Sequence, residues 1–284
     1  MKISRRLLMT QLILFLAGCG LSQSTQTEVT KLSIGLVAYG EGKKSLDQYA
    51  RFIRYLEKQT TTLIELEPAY NEVQALEQIK RQAWSLVFAP PGLATIAITQ
   101  AHYQPLFPLQ GVDNLSSLLI VPQDSLIRQL TDVTGHVLAL GQPGSATGYY
   151  VPLYELYGTA PAEVRLAPTP QVILEWLANH TVDVGAIAKD EFDRYHTNFQ
   201  SGRFRVLHSS RRLPSGAVLI SPNVDSNQQN AIQQAMAGVT PAIAAEVGYI
   251  PNADPPDYGL LITVIRKVQP IEANLHNSPA QLYR

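Results

Sequence analysis

Apolar positions along the chain alternate between two periods. Lys31–Ala38 (KLSIGLVA) is a short aliphatic run, which predicts a buried strand. Gly40, Glu41 and Gly42 interrupt it, and Leu46, Tyr49, Phe52, Ile53 and Leu56 then recur at the spacing of one helix face. Thr61–Leu66 predicts a second strand. Val73–Ala83 predicts a second helix, with Val73, Leu76 and Ile79 on its apolar side. A third strand is predicted over Trp84–Phe88, ended by Ala89-Pro90-Pro91-Gly92. Strand, helix, strand, helix, strand within about 60 residues implies parallel pairing through right-handed crossovers.

The alternation restarts at Leu115. Strands are predicted over Leu115–Val121, Val137–Leu140, Val164–Leu166, Val182–Ala188, Phe204–Leu207 and Ala217–Ile220. Helices are predicted over Asp124–Leu130, Tyr149–Tyr157, Gln171–Ala178 and Gln228–Ala245, the last breakable at Gly238 and Pro241. From about Val268 the chain is polar and reads as irregular. This restart predicts an α/β fold of two doubly wound lobes joined by two crossovers, near Leu115–Val121 and Leu207–Ile220. The first lobe is expected over residues 31–117 plus 217–284, and the second over 118–216. Open α/β sheets hold ligands at the carboxyl ends of their strands, so a cleft between lobes is the expected site.

The ends and the charge narrow the class. Lys2, Arg5 and Arg6 precede an apolar run, Leu7–Ala17, that is too short to span a bilayer comfortably and reads as an export signal. Ser4–Leu8 also loosely resembles a twin-arginine signal. The run ends in Leu16-Ala17-Gly18-Cys19, which resembles the lipobox of bacterial lipoproteins, and Cys19 is the only cysteine of the chain. The resemblance implies a signal peptide over 1–18, a lipid on Cys19 that anchors the protein to a membrane at its extracytoplasmic face, and a flexible polar tether over 19–30. Loss of Lys2, Arg5 and Arg6 with the signal takes the formal net charge from −1 to −4. With no basic stretch beyond the leader, no nucleic-acid partner is expected.

Gly141-Gln-Pro-Gly144-Ser145-Ala146-Thr147-Gly148-Tyr149 lies between a predicted strand and a predicted helix. Ser145 and Thr147 offer hydroxyls, Gly144 and Gly148 let backbone approach a ligand, and the helix start adds unpaired N–H groups and a positive dipole end. Such a segment suits an anion; it equally suits plain helix capping by Ser145 or Thr147. It matches neither G-x-x-x-x-G-K-[ST], nor G-x-G-x-x-G, nor G-x-S-x-G.

The ordered series KLSIGLVAYGE, FIRYLEKQ, Ala69-Tyr70, EVQALEQIKRQ, WSLVFAPPG, GQPGSATGYYVPLYEL, VDVGAIAKDEF and FRVLHSSRRLPSGAVLI resembles the phosphate/phosphite/phosphonate substrate-binding proteins of ABC transporters. These are a branch of the type II periplasmic binding-protein fold. The resemblance runs from about Lys31 to Ile220. It implies that Ser145, Thr147, Gly148 and Tyr149 hold the oxyanion and that Tyr39 and Tyr70 wall the cleft. Asp190, like Glu191, lies near acidic residues that in some members hold a ligand's amino group. Ala146 stands where a middle threonine is expected, and Leu93 where a tyrosine is expected.

The implied function is capture of a small oxyanion for a cognate ABC permease by a monomer, with no catalytic residue, metal or cofactor. The alternative is a sensory or scaffolding lipoprotein that keeps the fold. Enzyme readings lack support: His102, His136, His180, His196, His208 and His276 are scattered, without H-E-x-x-H or a pair at metal-ligand spacing.

Overall fold

A computed structural model describes residues 31–38, 46–111 and 115–283. The signal, the tether, Cys19 and Tyr39 lie outside the described residues.

The first three strands follow the predicted alternation. β1 (Lys31–Val37) pairs in parallel with β2 (Leu63–Ala69) over its whole length, and with β3 (Leu86–Ala89) on its other side. α1 (Ala50–Thr60) and α2 (Glu72–Lys80) make the crossovers. α1 buries Phe52 and Leu56 and stops at Thr61, whose φ of 52° is left-handed. Asn71 caps α2, its side chain accepting the Gln74 N–H at 2.9 Å. Two further elements were not predicted. α3 (Pro91–Ala101) starts on proline and is buried on every side, so it carries no helical period, and β4 (Gln104–Pro108) follows it.

The chain then leaves this sheet. β5 (Ser117–Pro122) opens a second sheet that also contains β6 (Val137–Leu140), β7 (Glu163–Leu166), β8 (Val184–Ala188) and β9 (Phe204–Ser209). β10 (Ala217–Ile220) returns to the first. The two five-stranded orders, β2-β1-β3-β10-β4 and β7-β6-β8-β5-β9, repeat one plan. In each, the fourth strand is antiparallel to both neighbours and arrives from the other half of the chain. The result is the two-lobed α/β architecture of type II periplasmic binding proteins.

Three local expectations are corrected. Asp124–Leu130 is not helical; it is an irregular segment in which the Arg205 guanidinium donates to the Ile127 carbonyl at 2.7 Å, and it ends in a 3-10 turn at Leu130–Val133. The helix placed at Tyr149–Tyr157 begins earlier, as a wide π turn over Ala146–Tyr150, and continues as α4 (Val151–Glu155). The chain after Val268 is ordered as a 3-10 stretch, Gln269–His276. α5 (Pro170–Ala178) and α6 (Lys189–Tyr195) flank β8 in sequence, and the stretch from Gln228 breaks at Gly238 into α7 (Ser226–Ala237) and α8 (Pro241–Val247).

One apolar core runs through both lobes. It joins Leu93, Ala94 and Ala97 of α3 to Leu138 and Leu140 of β6 and to Tyr149, Tyr150 and Leu153. α9 (Gly259–Val268) completes it through Leu261, Val264, Ile265 and Val268, packing on α3 from the first lobe and α4 from the second. The tail, expected within the first lobe, bonds to the second. Gly158 N–H donates to the Leu282 carbonyl at 2.9 Å, Leu282 N–H to Thr159 at 3.1 Å, and Ala280 N–H to Pro161 at 2.9 Å. Tail groups that need backbone partners find them there, because residues 158–161 follow a short helix and leave theirs open.

Candidate functional site

The loop after β6 is a closed knot of hydrogen bonds. Gly141 N–H donates to the Gly148 carbonyl at 2.8 Å, and Ser145 N–H to Gln142 at 3.1 Å. Ser145 Oγ accepts the Gly148 N–H at 3.0 Å, capping the π turn, and the Ser117 hydroxyl donates to the Thr147 carbonyl at 2.6 Å. Capping uses one lone pair of Ser145 and leaves the hydroxyl proton uncommitted to the cap.

The loop presses on the first lobe. A Cβ on Gly92 would lie 2.2 Å from the Gly144 carbonyl oxygen and 2.6 Å from the Ala146 nitrogen. Gly144, at φ +110°, takes a conformation that favours glycine, and a Cβ there would meet Glu72 Cβ and Leu93 Cδ2 at 2.9 Å. Leu93, at the position where a cleft tyrosine was expected, is fully buried against this turn.

Beside this contact lies a cavity of about 150 Å³, lined by Glu72 and Pro90 of the first lobe and by Ser145, Thr147, Asp190 and Glu191 of the second. A smaller cavity shares Glu72, Ser145 and Glu191 and adds Gln142, Gly148 and Thr169. Three carboxyl groups therefore surround the hydroxyl turn. Burial, and next the neighbouring Asp190, push the Glu191 carboxyl up to about 7, with a smaller contribution from Glu72. Glu191 Oε2 accepts the Ala188 N–H at 3.3 Å. Asp190 Oδ1 is buried with no hydrogen-bond partner among the described residues. An unpaired oxygen of this kind is costly to keep dry and suits a donor brought by a ligand.

Of the residues singled out from the sequence, Ser145, Thr147, Gly148 and Asp190 line these cavities. Tyr149 does not: its phenol donates to Glu272 Oε1 at 3.1 Å, and burial with the Glu272 charge raises its pKa. Tyr70 is 58% exposed and lines neither cavity. Sequence reading missed Glu72. Its place at the carboxyl end of β2, first in the helix capped by Asn71, was the available signal.

The sequence matches the model of one protein family, described as ABC transporter, phosphonate, periplasmic substrate-binding protein, over residues 34–251. No curated protein sequence matches the chain. Among solved structures, XAC2383 from Xanthomonas citri bound to ATP is similar, with a TM-score of 0.73 and 19% identity, covering 85% of this chain and 98% of that one. A binding-protein component of an ABC phosphonate transporter from Pseudomonas aeruginosa (PA3383) gives a TM-score of 0.65 at 17% identity, covering 87% and 88%. PhnD1 from Prochlorococcus marinus in complex with methylphosphonate gives 0.64 at 14% identity, covering 84% and 98%. These likenesses establish the shared fold. The family match spans well over half of the sequence, and the chain belongs to the periplasmic substrate-binding proteins of phosphonate ABC transporters.

Proposed function

We propose that the protein is a lipid-anchored capture component of an ABC importer, and that its ligand is a small oxyanion that also carries an amino group. The observation that carries this reading is the joint lining of one interlobe cavity by the Ser145–Thr147 turn and by Glu72, Asp190 and Glu191. A simple dianion brought there would meet like charge. A zwitterion places its oxyanion on the hydroxyls of Ser145 and Thr147 and its ammonium on the carboxylates. Asp190 Oδ1 then gains the donor it lacks. The methylphosphonate bound by the Prochlorococcus protein supports the oxyanion half. Lobe closure provides binding with no bond made or broken.

The anchor is the lipid on Cys19, and the partner that receives the ligand is the cognate permease. Members of this family work outside the cytoplasm, and among the described residues no helix is long and apolar enough to cross a membrane. Labelling of expressing cells with an alkyne fatty acid should mark the wild type and not Cys19→Ser; equal labelling overturns the anchor.

The ligand class is tested by thermal shift of the purified full chain against phosphate, phosphite, sulfate, ethylphosphonate and 2-aminoethylphosphonate. A ligand of the folded state raises Tm by mass action, by about 2.7 kcal/mol of stabilisation at 100-fold excess over Kd. The aminated compound should give the largest rise, and Thr147→Val and Asp190→Asn should each diminish it. A panel that leaves Tm unmoved sinks the reading.

A further inference from the structure

A separate cavity lies away from the interlobe site. It has a volume of about 590 Å³ and is lined by Tyr154, Glu155 and Tyr157 at the far end of α4 and by Arg266, Lys267 and Pro270 at the end of α9. That size falls in the range of small-molecule sites, roughly 300–1,000 Å³.

Its chemistry is polarised. Arg266 and Lys267 are exposed on one rim, and among the described residues neither forms an ion pair. Lys267 Nζ sits 5.7 Å from the centre of the Tyr154 ring, and Tyr157 leaves half its surface to solvent. Among the described residues Glu155 is the one acidic residue of the lining, and its Oε2 is 3.1 Å from His208 Nε2. Burial raises the pKa of the Glu155 carboxyl, and the neighbouring His208 and Arg211 offset part of that shift. Basic residues in the last turn of α9 also complement the carbonyl end of the helix, which accounts for their sign. It does not account for two tyrosines and an open volume beside them.

We propose that this groove is a second binding site, for the phosphate ester of a ring compound. The phosphate meets Arg266 and Lys267, where a guanidinium can grip two oxygens at once. The ring lies on Tyr154 and Tyr157. Glu155 fixes the direction, because an anion turned inward would meet its carboxylate. α4 continues from the turn that carries Ser145 and Thr147, so a ligand here touches the opposite end of the element that forms the interlobe site.

The experiment is calorimetric titration of the full chain with phenyl phosphate, and with inorganic phosphate and phenol as its separate halves. Phenyl phosphate should bind at one site at least tenfold more tightly than inorganic phosphate. The double variant Arg266→Gln, Lys267→Gln should lose at least tenfold, and Tyr157→Ala several-fold. Saturating 2-aminoethylphosphonate should leave the affinity for phenyl phosphate unchanged, which separates this site from the interlobe one. Both altered surfaces are exposed, and an unchanged Tm checks the fold of each variant. The proposal is overturned by absence of binding at millimolar phenyl phosphate. It is equally overturned if the double variant and Tyr157→Ala both keep wild-type affinity, or if 2-aminoethylphosphonate displaces the bound ester competitively.

Discussion

The helices that follow the third strand of each sheet occupy equivalent places and have opposite fates. In the first lobe β3 leads into α3, which has eight buried residues; in the second β8 leads into α6, which has none. One plan of strands therefore serves two purposes. α3 is a wedge: its glycine and leucine at positions 92 and 93 let the loop of the other lobe seat directly on it. α6 stays at the surface and presents Asp190 and Glu191 from its first turn to the cavity. Adhesion between the lobes and ligand chemistry are thus assigned to different halves of a repeated topology. In the proposed function, the contact between lobes is apolar and selectivity comes from charge.

The largest effect should come from breaking the wedge. Gly92→Val places a side chain into the Gly144 carbonyl and should cost about 3 kcal/mol, the upper end of ordinary overpacking, read by urea unfolding. The matching change in the second lobe, Lys189→Ala on exposed α6, should stay within about 0.5 kcal/mol. Equal effects would erase the contrast.

Next comes the pH dependence of the acidic helix. Glu191 holds its proton to about pH 7 in the folded chain and releases it at the ordinary carboxylate pKa when unfolded. Its contribution to stability is therefore full below that ordinary value and is lost as pH rises through 7. Glu191→Gln removes the loss. The variant should match the wild type near pH 4 and exceed it above pH 7, by at most roughly 3 kcal/mol from the size of the shift. A constant difference across pH would contradict the buried, like-charged setting.

Two smaller effects test the frame around these helices. Tyr149→Phe removes the bond to Glu272, which ties the turn after β6 to the tail, and should cost about 1 kcal/mol because a half-buried carboxylate loses a donor. Asn71→Ala removes the cap that starts α2 at Glu72, and should cost about 1 kcal/mol. Chemical denaturation measures both.

The parallel strands were legible because each is a short apolar run bounded by glycine, proline or a clear helical period. The loop after β6 was legible as a turn between a strand and a helix, with Ser145 as its cap. α3 was hidden by its own burial: Leu93, Ala94, Ile96 and Ala97 face apolar surroundings on all sides, so no polar stripe marks the helix. The tail was misread because its polar sequence is ordered by backbone bonds to residues 158–161, which no local pattern foretells. Tyr149 sits in the right turn, yet its ring is claimed by Glu272, 123 residues further along. Glu72 was passed over because its position after β2 gains weight only beside Asp190 and Glu191, which the fold brings to the same cavity.

The central claim is that hydroxyls and carboxylates of one cavity recognise one zwitterion. The most direct test is calorimetry of 2-aminoethylphosphonate against ethylphosphonate, which differ only in the amine, on the wild type and on Asp190→Asn. The account predicts at least tenfold tighter binding of the aminated compound, with that preference reduced in the variant. Equal affinity for the two compounds in the wild type, or a preference untouched by Asp190→Asn, would contradict it.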